Sequence, residues 1–387
     1  MKRYLTSESV CEGHPDKLCD YIADSVLDAC LRKDPNSRVA CEVLATKAKI
    51  VVAGEITCNS RINIREVVKG SLIECGYCPD EFTISVFIHP QSLDIARGVN
   101  NALEAREEGN DAHELGAGDQ GTMYGYATDE CDERIPLPLK LAHRICLELD
   151  EARKRGFIKG IKSDGKAQVT VEYEDDTPKR IEAIVVSIQH DKNIDLNELK
   201  EEIILKVLCQ AFCDYPFDTQ TKILINPSGR FVTGGPAADT GLTGRKLMVD
   251  TYGGLALHGG GALCGKDPTK VDRSATYMAR FIAKHIVSLG LAKRCTVSLS
   301  YAIGKAEPVA VHVDTFSTGK IDDEKLTLIV KRIFPLKPRE IIEVLNLKTP
   351  IYNLTSCYGH FGNPFYSWEN TNTAFAKALA KEAELAH

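Results

Sequence analysis

Val271-Asp272-Arg273-Ser274-Ala275-Thr276-Tyr277-Met278-Ala279-Arg280-Phe281-Ile282-Ala283-Lys284-His285-Ile286-Val287-Ser288-Leu289 places Tyr277, Phe281, Ile282, His285 and Ile286 along one side of a helical period. Two strand-like runs follow, 295–302 and 308–316, and then a second helical pattern over 323–334. The same order occurs twice upstream. A helix opens after Pro15 with Leu18, Ile22, Val26, Leu27, Cys30 and Leu31 on its apolar side, and is followed by strands at 39–44 and 49–56 and a helix at 62–75. A helix at 137–155 leads into strands at 168–173 and 180–188 and a helix at 196–212. Helix, hairpin, helix, three times over, predicts an α+β chain of three similar subdomains, each an antiparallel sheet with helices covering one face. The expected divisions are an N-terminal subdomain at 1–98, a flexible lid loop at 99–118, a central subdomain at 119–231 and a C-terminal subdomain at 232–387.

At 387 residues, with 43% apolar and 26% charged side chains, the chain is long enough for two or three domains with real cores. The net charge of −6 argues against an extended nucleic-acid or anionic-membrane surface, so any phosphate affinity must come from a local gathering of cations. The start, Met1 to Glu8, shows no apolar signal core, and no window reaches the ~18 unbroken apolar residues of a membrane span. A cytoplasmic protein is expected. The 14 cysteines are scattered inside apolar patterns without paired metal spacing, which reads as reduced core thiols.

The glycine-rich and charged segments fall between or at the edges of the three units. Gly259-Gly260-Gly261-Ala262-Leu263-Cys264-Gly265-Lys266-Asp267-Pro268-Thr269-Lys270 precedes the 271–289 helix. Glycine lets backbone N–H groups approach an anion, the helix start adds its positive dipole end, and lysine supplies a mobile charge, so the loop suits a polyphosphate. It spells G-x-x-x-x-G-K, but Asp267 stands where a P-loop needs a hydroxyl for magnesium. Asp272 reads either as a metal-bound carboxylate or as a helix-start charge. Gly116 to Gly121 spells G-x-G-x-x-G without a preceding strand or a following helix, which excludes a dinucleotide fold. Glu12-Gly13-His14-Pro15-Asp16-Lys17 puts Pro15 at the first helical position, with His14 as cap or as phosphate ligand. Asp239-Thr240-Gly241-Leu242-Thr243-Gly244-Arg245-Lys246 adds two cations on another glycine loop, after Arg230 and Phe231. Glu42 and Glu55 read as hairpin-face charges and Gln91 as a loop residue.

His14-Pro15-Asp16-Lys17, Gly116 to Gly121, Gly244-Arg245-Lys246 and Gly259 to Asp272, in this order, resemble the signatures of the methionine adenosyltransferase (S-adenosylmethionine synthetase) family. The resemblance runs from Thr6-Ser7-Glu8-Ser9-Val10 to Tyr358-Gly359-His360-Phe361-Gly362. It implies three subdomains about a pseudo-threefold axis, and homodimers, often paired into tetramers, with active sites at the dimer interface. It implies attack of the methionine sulfur on the 5′ carbon of ATP, then cleavage of the released triphosphate to pyrophosphate and phosphate. By the family pattern His14 lies beside the departing oxygen, with Lys166, Arg245 and Lys266 along the phosphates. Asp164, Arg230, Phe231, Asp239, Lys246 and Ala262 match further ATP contacts, and Glu55, Gln91, Asp119, Asp239 and Lys270 match methionine contacts. Asp16 and Asp272 correspond to ligands of two magnesium ions and Glu42 to that of one potassium ion. Family members usually have Phe-Ser at Leu263-Cys264, and the 91–115 segment shares little with most of them beyond its beginning. Leu263 removes an aromatic face near the nucleotide loop and Cys264 places a thiol there, so activity is expected to survive with altered ATP affinity or sensitivity to oxidation. A phosphotransferase or ATPase, which would yield ADP, and a catalytically inactive nucleotide-binding partner are the competing readings.

Overall fold

The computed structural model describes residues 1–107 and 114–386; residues 108–113 of the expected lid lie outside the described residues. A short helix at Leu93–Asn100 leads into that segment, and another at Leu103–Glu107 lies within it. Helices Pro15–Lys33 (α1), Leu137–Lys154 and Val271–Ser288 head the three units. Pro15 occupies the first turn of α1, where its missing N–H costs nothing.

Eleven strands are described: β1 (Lys2–Val10), β2 (Arg38–Thr46), β3 (Lys49–Thr57), β4 (Thr83–His89), β5 (Gly121–Thr128), β6 (Ile161–Glu174), β7 (Thr177–His190), β8 (Lys222–Ile225), β9 (Gly241–Leu242), β10 (Arg294–Tyr301) and β11 (Ala310–Asp314). They form sheets in the orders β4-β3-β2-β9, β1-β6-β7-β8 and β11-β10-β5, and with the helices make an α+β fold of three similar subdomains. The predicted hairpins β2–β3, β6–β7 and β10–β11 are antiparallel. Two sheets also carry a parallel edge pair, β3–β4 and β7–β8. In each the chain returns through a helical crossover, Ile64–Glu74 in one and the Leu196–Ala211 helical run in the other, as parallel pairing requires.

Each sheet takes a strand from a stretch of chain distant in sequence. The N-terminal β1 pairs with β6, β5 pairs with β10, and β9 pairs with β2. Strand β5 follows the Gly116 to Gly121 turn, so no helix starts there and the exclusion of a dinucleotide fold stands. One apolar core joins the first and third units around α1 and Val271–Ser288, and a second fills the central unit beneath Leu137–Lys154. All 14 cysteines are free thiols and most are buried. No described helix is long and apolar enough to cross a membrane.

Candidate active site

His14 caps α1, its Nδ1 accepting the Asp16 backbone N–H at 3.2 Å. That bond leaves the ring proton on Nε2. Burial, with Lys246, Lys166 and Lys17 nearby, pushes the imidazole pKa down to about 3 against the opposing charge of Asp16, so the ring is neutral and offers one N–H donor. Asp16 accepts the Leu242 N–H at 3.0 Å and pairs with Lys246 at 2.6 Å, with Arg245 at 3.6 Å. Burial alone raises the Asp16 carboxyl, but Lys246 and the Leu242 N–H outweigh it and hold it below the usual range. The 239–246 loop reaches this helix start because Gly241 lies flat on it: a Cβ there would stand 2.1 Å from the Pro15 carbonyl oxygen.

Strand β6 brings two further expected residues. Lys166 is exposed and pairs with Glu8 on β1 at 2.6 Å. Asp164 is buried, accepts the Gly235 N–H at 2.7 Å, and has its pKa raised to about 6, first by burial and then by Asp239. The Asp239 side chain turns back onto the Thr240 N–H at 2.9 Å.

The second glycine loop joins the edge of β2. Cys41 N–H donates to the Gly265 carbonyl at 2.9 Å and Asp267 N–H to Val39 at 3.0 Å, which sets Lys266 opposite Ala40. Lys266 Nζ meets Asp272 Oδ2 at 2.5 Å. Gly261 lies against the Asp272 carboxylate: a Cβ there would stand 1.9 Å from Asp272 Oδ1 and displace it. Glycine is required at 244: φ is +76°, and a Cβ would stand 2.7 Å from that of Ala262. This contact makes the loops of Arg245 and Lys266 neighbours. Glu42, two residues along β2 from Ala40, has its carboxyl raised by desolvation, with Lys266 opposing and Asp20 and Glu55 adding.

Lys270 pairs with Asp267, which is buried and also accepts the Val39 N–H at 2.7 Å. Asp267 therefore anchors the loop. Gly118 N–H donates to Thr269 at 3.3 Å, docking the exposed Asp119 beside Lys270. Glu55 lies exposed on β3 opposite Ala40, and the Gln91 N–H donates to Thr57 at 3.0 Å. Arg230 is exposed, and the Phe231 N–H donates to His190 Nε2 at 3.0 Å. Among the described residues no hydrogen bond or ion pair joins Glu55, Gln91, Arg230 or Phe231 to the two cation loops.

Leu263 and Cys264 do not face the nucleotide loop. Both are buried in the core, where burial pushes the thiol far above its ordinary value, so the expected oxidation-prone thiolate is not formed. Cys264, His360 and Asp250 lie within 4.8 Å of one another, but Lys17 already neutralises Asp250, and His360 bonds Tyr277 at 2.7 Å; the trio is a core polar network. The sequence reading missed a different set. Asp20, Asp24 and Asp28 continue from Asp16 at every fourth residue of α1, all fully buried, a spacing visible in the sequence.

Comparison with known proteins bears on the same segments. Models of the S-adenosylmethionine synthetase N-terminal, central and C-terminal domains match residues 2–95, 114–231 and 233–370. The chain belongs to the S-adenosylmethionine synthetase family. Similar curated proteins carry the name S-adenosylmethionine synthase. That of Pseudothermotoga lettingae is 51% identical over 96% of this chain and 97% of its own. Those of Thermus thermophilus and Finegoldia magna are 51% and 48% identical, covering 99% and 96% of this chain and 99% and 98% of their own. As a synthetase of this family the chain is an ATP-dependent transferase that forms S-adenosylmethionine from ATP and methionine.

Proposed function

We propose that the methionine sulfur attacks the 5′ carbon of ATP in line with the bond to the triphosphate, and that the same site then hydrolyses the released triphosphate to pyrophosphate and phosphate. A neutral thioether becomes a sulfonium while negative charge grows on the departing oxygen, so the useful groups are those that meet that charge in the transition state. His14 donates its Nε2–H to this oxygen. Lys166, Arg245 and Lys266 line the phosphate chain, while Asp164, Arg230, Phe231, Asp239, Lys246 and Ala262 complete the ATP contacts. Glu55, Gln91, Asp119, Asp239 and Lys270 receive methionine. The observation that carries this reading is the contact of the Gly244 and Ala262 loops, which brings the Lys266 loop against the loop whose Arg245 and Lys246 meet Asp16.

The family's need for a divalent metal fits the donors present, since Asp16 and Asp272 offer only hard oxygen atoms. Two magnesium ions held there would neutralise phosphate charge. A potassium ion is assigned to Glu42, as the family pattern implies, near Asp20, Glu55 and the opposing Lys266. We further propose a homodimer with its active sites at the interface. The outer face of the first sheet supports this: Leu242, Leu44 and Val51 line up across the strands beside Ala53 and Phe87, and Leu242 and Phe87 are exposed. Functional subdomains divide at 1–98, 99–118, 119–231 and 232–387, and the cytoplasm is the compartment that keeps 14 thiols reduced.

Incubation with ATP, methionine, Mg²⁺ and K⁺, with products resolved by mass spectrometry, tests the chemistry. Adenosylmethionine, phosphate and pyrophosphate in equal amounts are expected. ADP as the product would overturn the reading.

A further inference from the structure

Helix α1 presents Asp16, Asp20, Asp24 and Asp28 along one line, each one turn and about 6 Å from the next. Each accepts backbone N–H groups from another segment. Asp16 holds Leu242 at 3.0 Å, Asp20 holds Gly244 at 2.9 Å, Asp24 holds Gly265 at 2.8 Å, and Asp28 holds Tyr352 and Asn353 at 2.9 and 3.0 Å. The two middle members are fully buried, and each meets a buried cation, although Lys17 is shared between Asp20 and Asp250. Lys17 meets Asp20 at 3.0 Å, and Arg273 grips both oxygens of Asp24 at 2.8 and 2.9 Å. Burying a carboxylate is unfavourable unless it is paired and fully hydrogen-bonded, and an apolar residue would pack in a helix of this kind more easily. The bonds made explain what the carboxylates do here. Gly244 immediately precedes Arg245, and Gly265 immediately precedes Lys266.

We propose that Asp20 and Asp24 are positioning residues, which clamp Gly244 and Gly265 to consecutive turns of α1 and so fix the spacing of Arg245 and Lys266 along the triphosphate. The proposal rests on the assignment of those two cations to the phosphates. Neither aspartate touches substrate; both act through a backbone N–H one residue from the working side chain. A displacement of about 1 Å in a reacting geometry lowers rates by roughly 10²-fold, whereas overall binding of a large substrate with many contacts changes less.

The test is a double-mutant cycle on the single-turnover rate of adenosylmethionine formation, with folding followed by thermal melting. Asp20→Ala is expected to lower kcat by about 10²-fold with the ATP KM changed by less than about threefold. Asp20→Asn retains an acceptor for the Gly244 N–H and is expected to recover most of that loss. In an Arg245→Ala background Asp20→Ala should add less than about threefold, because its effect passes through Arg245. Equal losses from Asp20→Ala with and without Arg245 would overturn the inference, as would Asp20→Asn behaving like Asp20→Ala. If Arg245→Ala alone leaves kcat unchanged, it is the underlying assignment that fails. Should Asp20→Ala not fold, Asp20→Ser, whose short side chain withdraws the acceptor from the Gly244 N–H, takes its place in the cycle, with the same outcomes deciding.

Discussion

Replacing His14 by asparagine separates two jobs done by one imidazole. Its Nδ1 caps α1 by accepting the Asp16 N–H at 3.2 Å, and its Nε2–H is the donor assigned to the departing oxygen. Asparagine is among the best N-cap residues, so the short amide keeps the first job and cannot reach far enough for the second. Stability should change by no more than about 0.5 kcal/mol, whereas His14→Ala would forfeit the cap and cost roughly 0.5–2 kcal/mol. The rate of the adenosyl-transfer step should fall in both variants by about 10²–10³-fold, or about 2.7–4 kcal/mol of transition-state stabilisation, the usual loss when one preorganised donor is removed. The assay is a rapid-quench single turnover with enzyme in excess over ATP, read as adenosylmethionine formed, beside a urea titration of each variant. A single-turnover rate for His14→Asn within threefold of the parent would refute the donor role. So would a loss seen in His14→Ala alone, since that would trace to the helix cap.

Other perturbations probe the remaining groups. Asp272→Asn should raise the Mg²⁺ concentration for half-maximal activity by at least about 10-fold, and an unchanged Mg²⁺ titration would remove Asp272 from the metal site. His143 is buried against Ser9 at 2.7 Å, and burial, aided by Lys17, lowers its pKa to about 3. Because the folded value lies below the unfolded one near 6.5, stability is lost as pH falls below about 6.5, by roughly 2 kcal/mol at pH 5. His143→Asn should therefore narrow its stability deficit between pH 8 and pH 5 in urea titrations, and a deficit constant with pH would contradict this. Arg280 is fully buried, binds both Glu369 oxygens at 2.8 and 2.9 Å and donates to the carbonyls of Tyr126, Glu133 and Arg134. Arg280→Met should destabilise by about 3–5 kcal/mol, and a loss below 1 kcal/mol would show that Lys284 alone satisfies Glu369. Leu44→Glu, beside Leu242 and Val51 on the outer sheet face, should yield monomers in analytical ultracentrifugation that have lost activity; an active monomer would refute the interface site.

The helices and hairpins were legible because apolar period reports local burial, and Val271–Ser288 with β10 and β11 is the clearest case. Strands β1, β5 and β9 were not legible in the same way. Their partners lie over a hundred residues away, and β9 is only two residues long. Within the site, His14, Asp16, Arg245 and Lys266 stood out because glycine, proline and charge cluster around them. The aspartates at 20, 24 and 28 carried an equally regular signal, hidden because buried carboxylates are rare and a helical charge usually means a solvated face. Leu263 and Cys264 were misplaced for the opposite reason: a glycine loop has no period, so nothing in it says which side chains turn inward.

The most direct measurement is a crystal structure of the protein with a non-hydrolysable triphosphate analogue and Mg²⁺. The account predicts phosphate oxygens within about 3.5 Å of Arg245, Lys266 and the His14 imidazole, with Lys266 released from Asp272. An analogue bound elsewhere, or bound with Lys266 still on Asp272 and His14 out of reach, would contradict it.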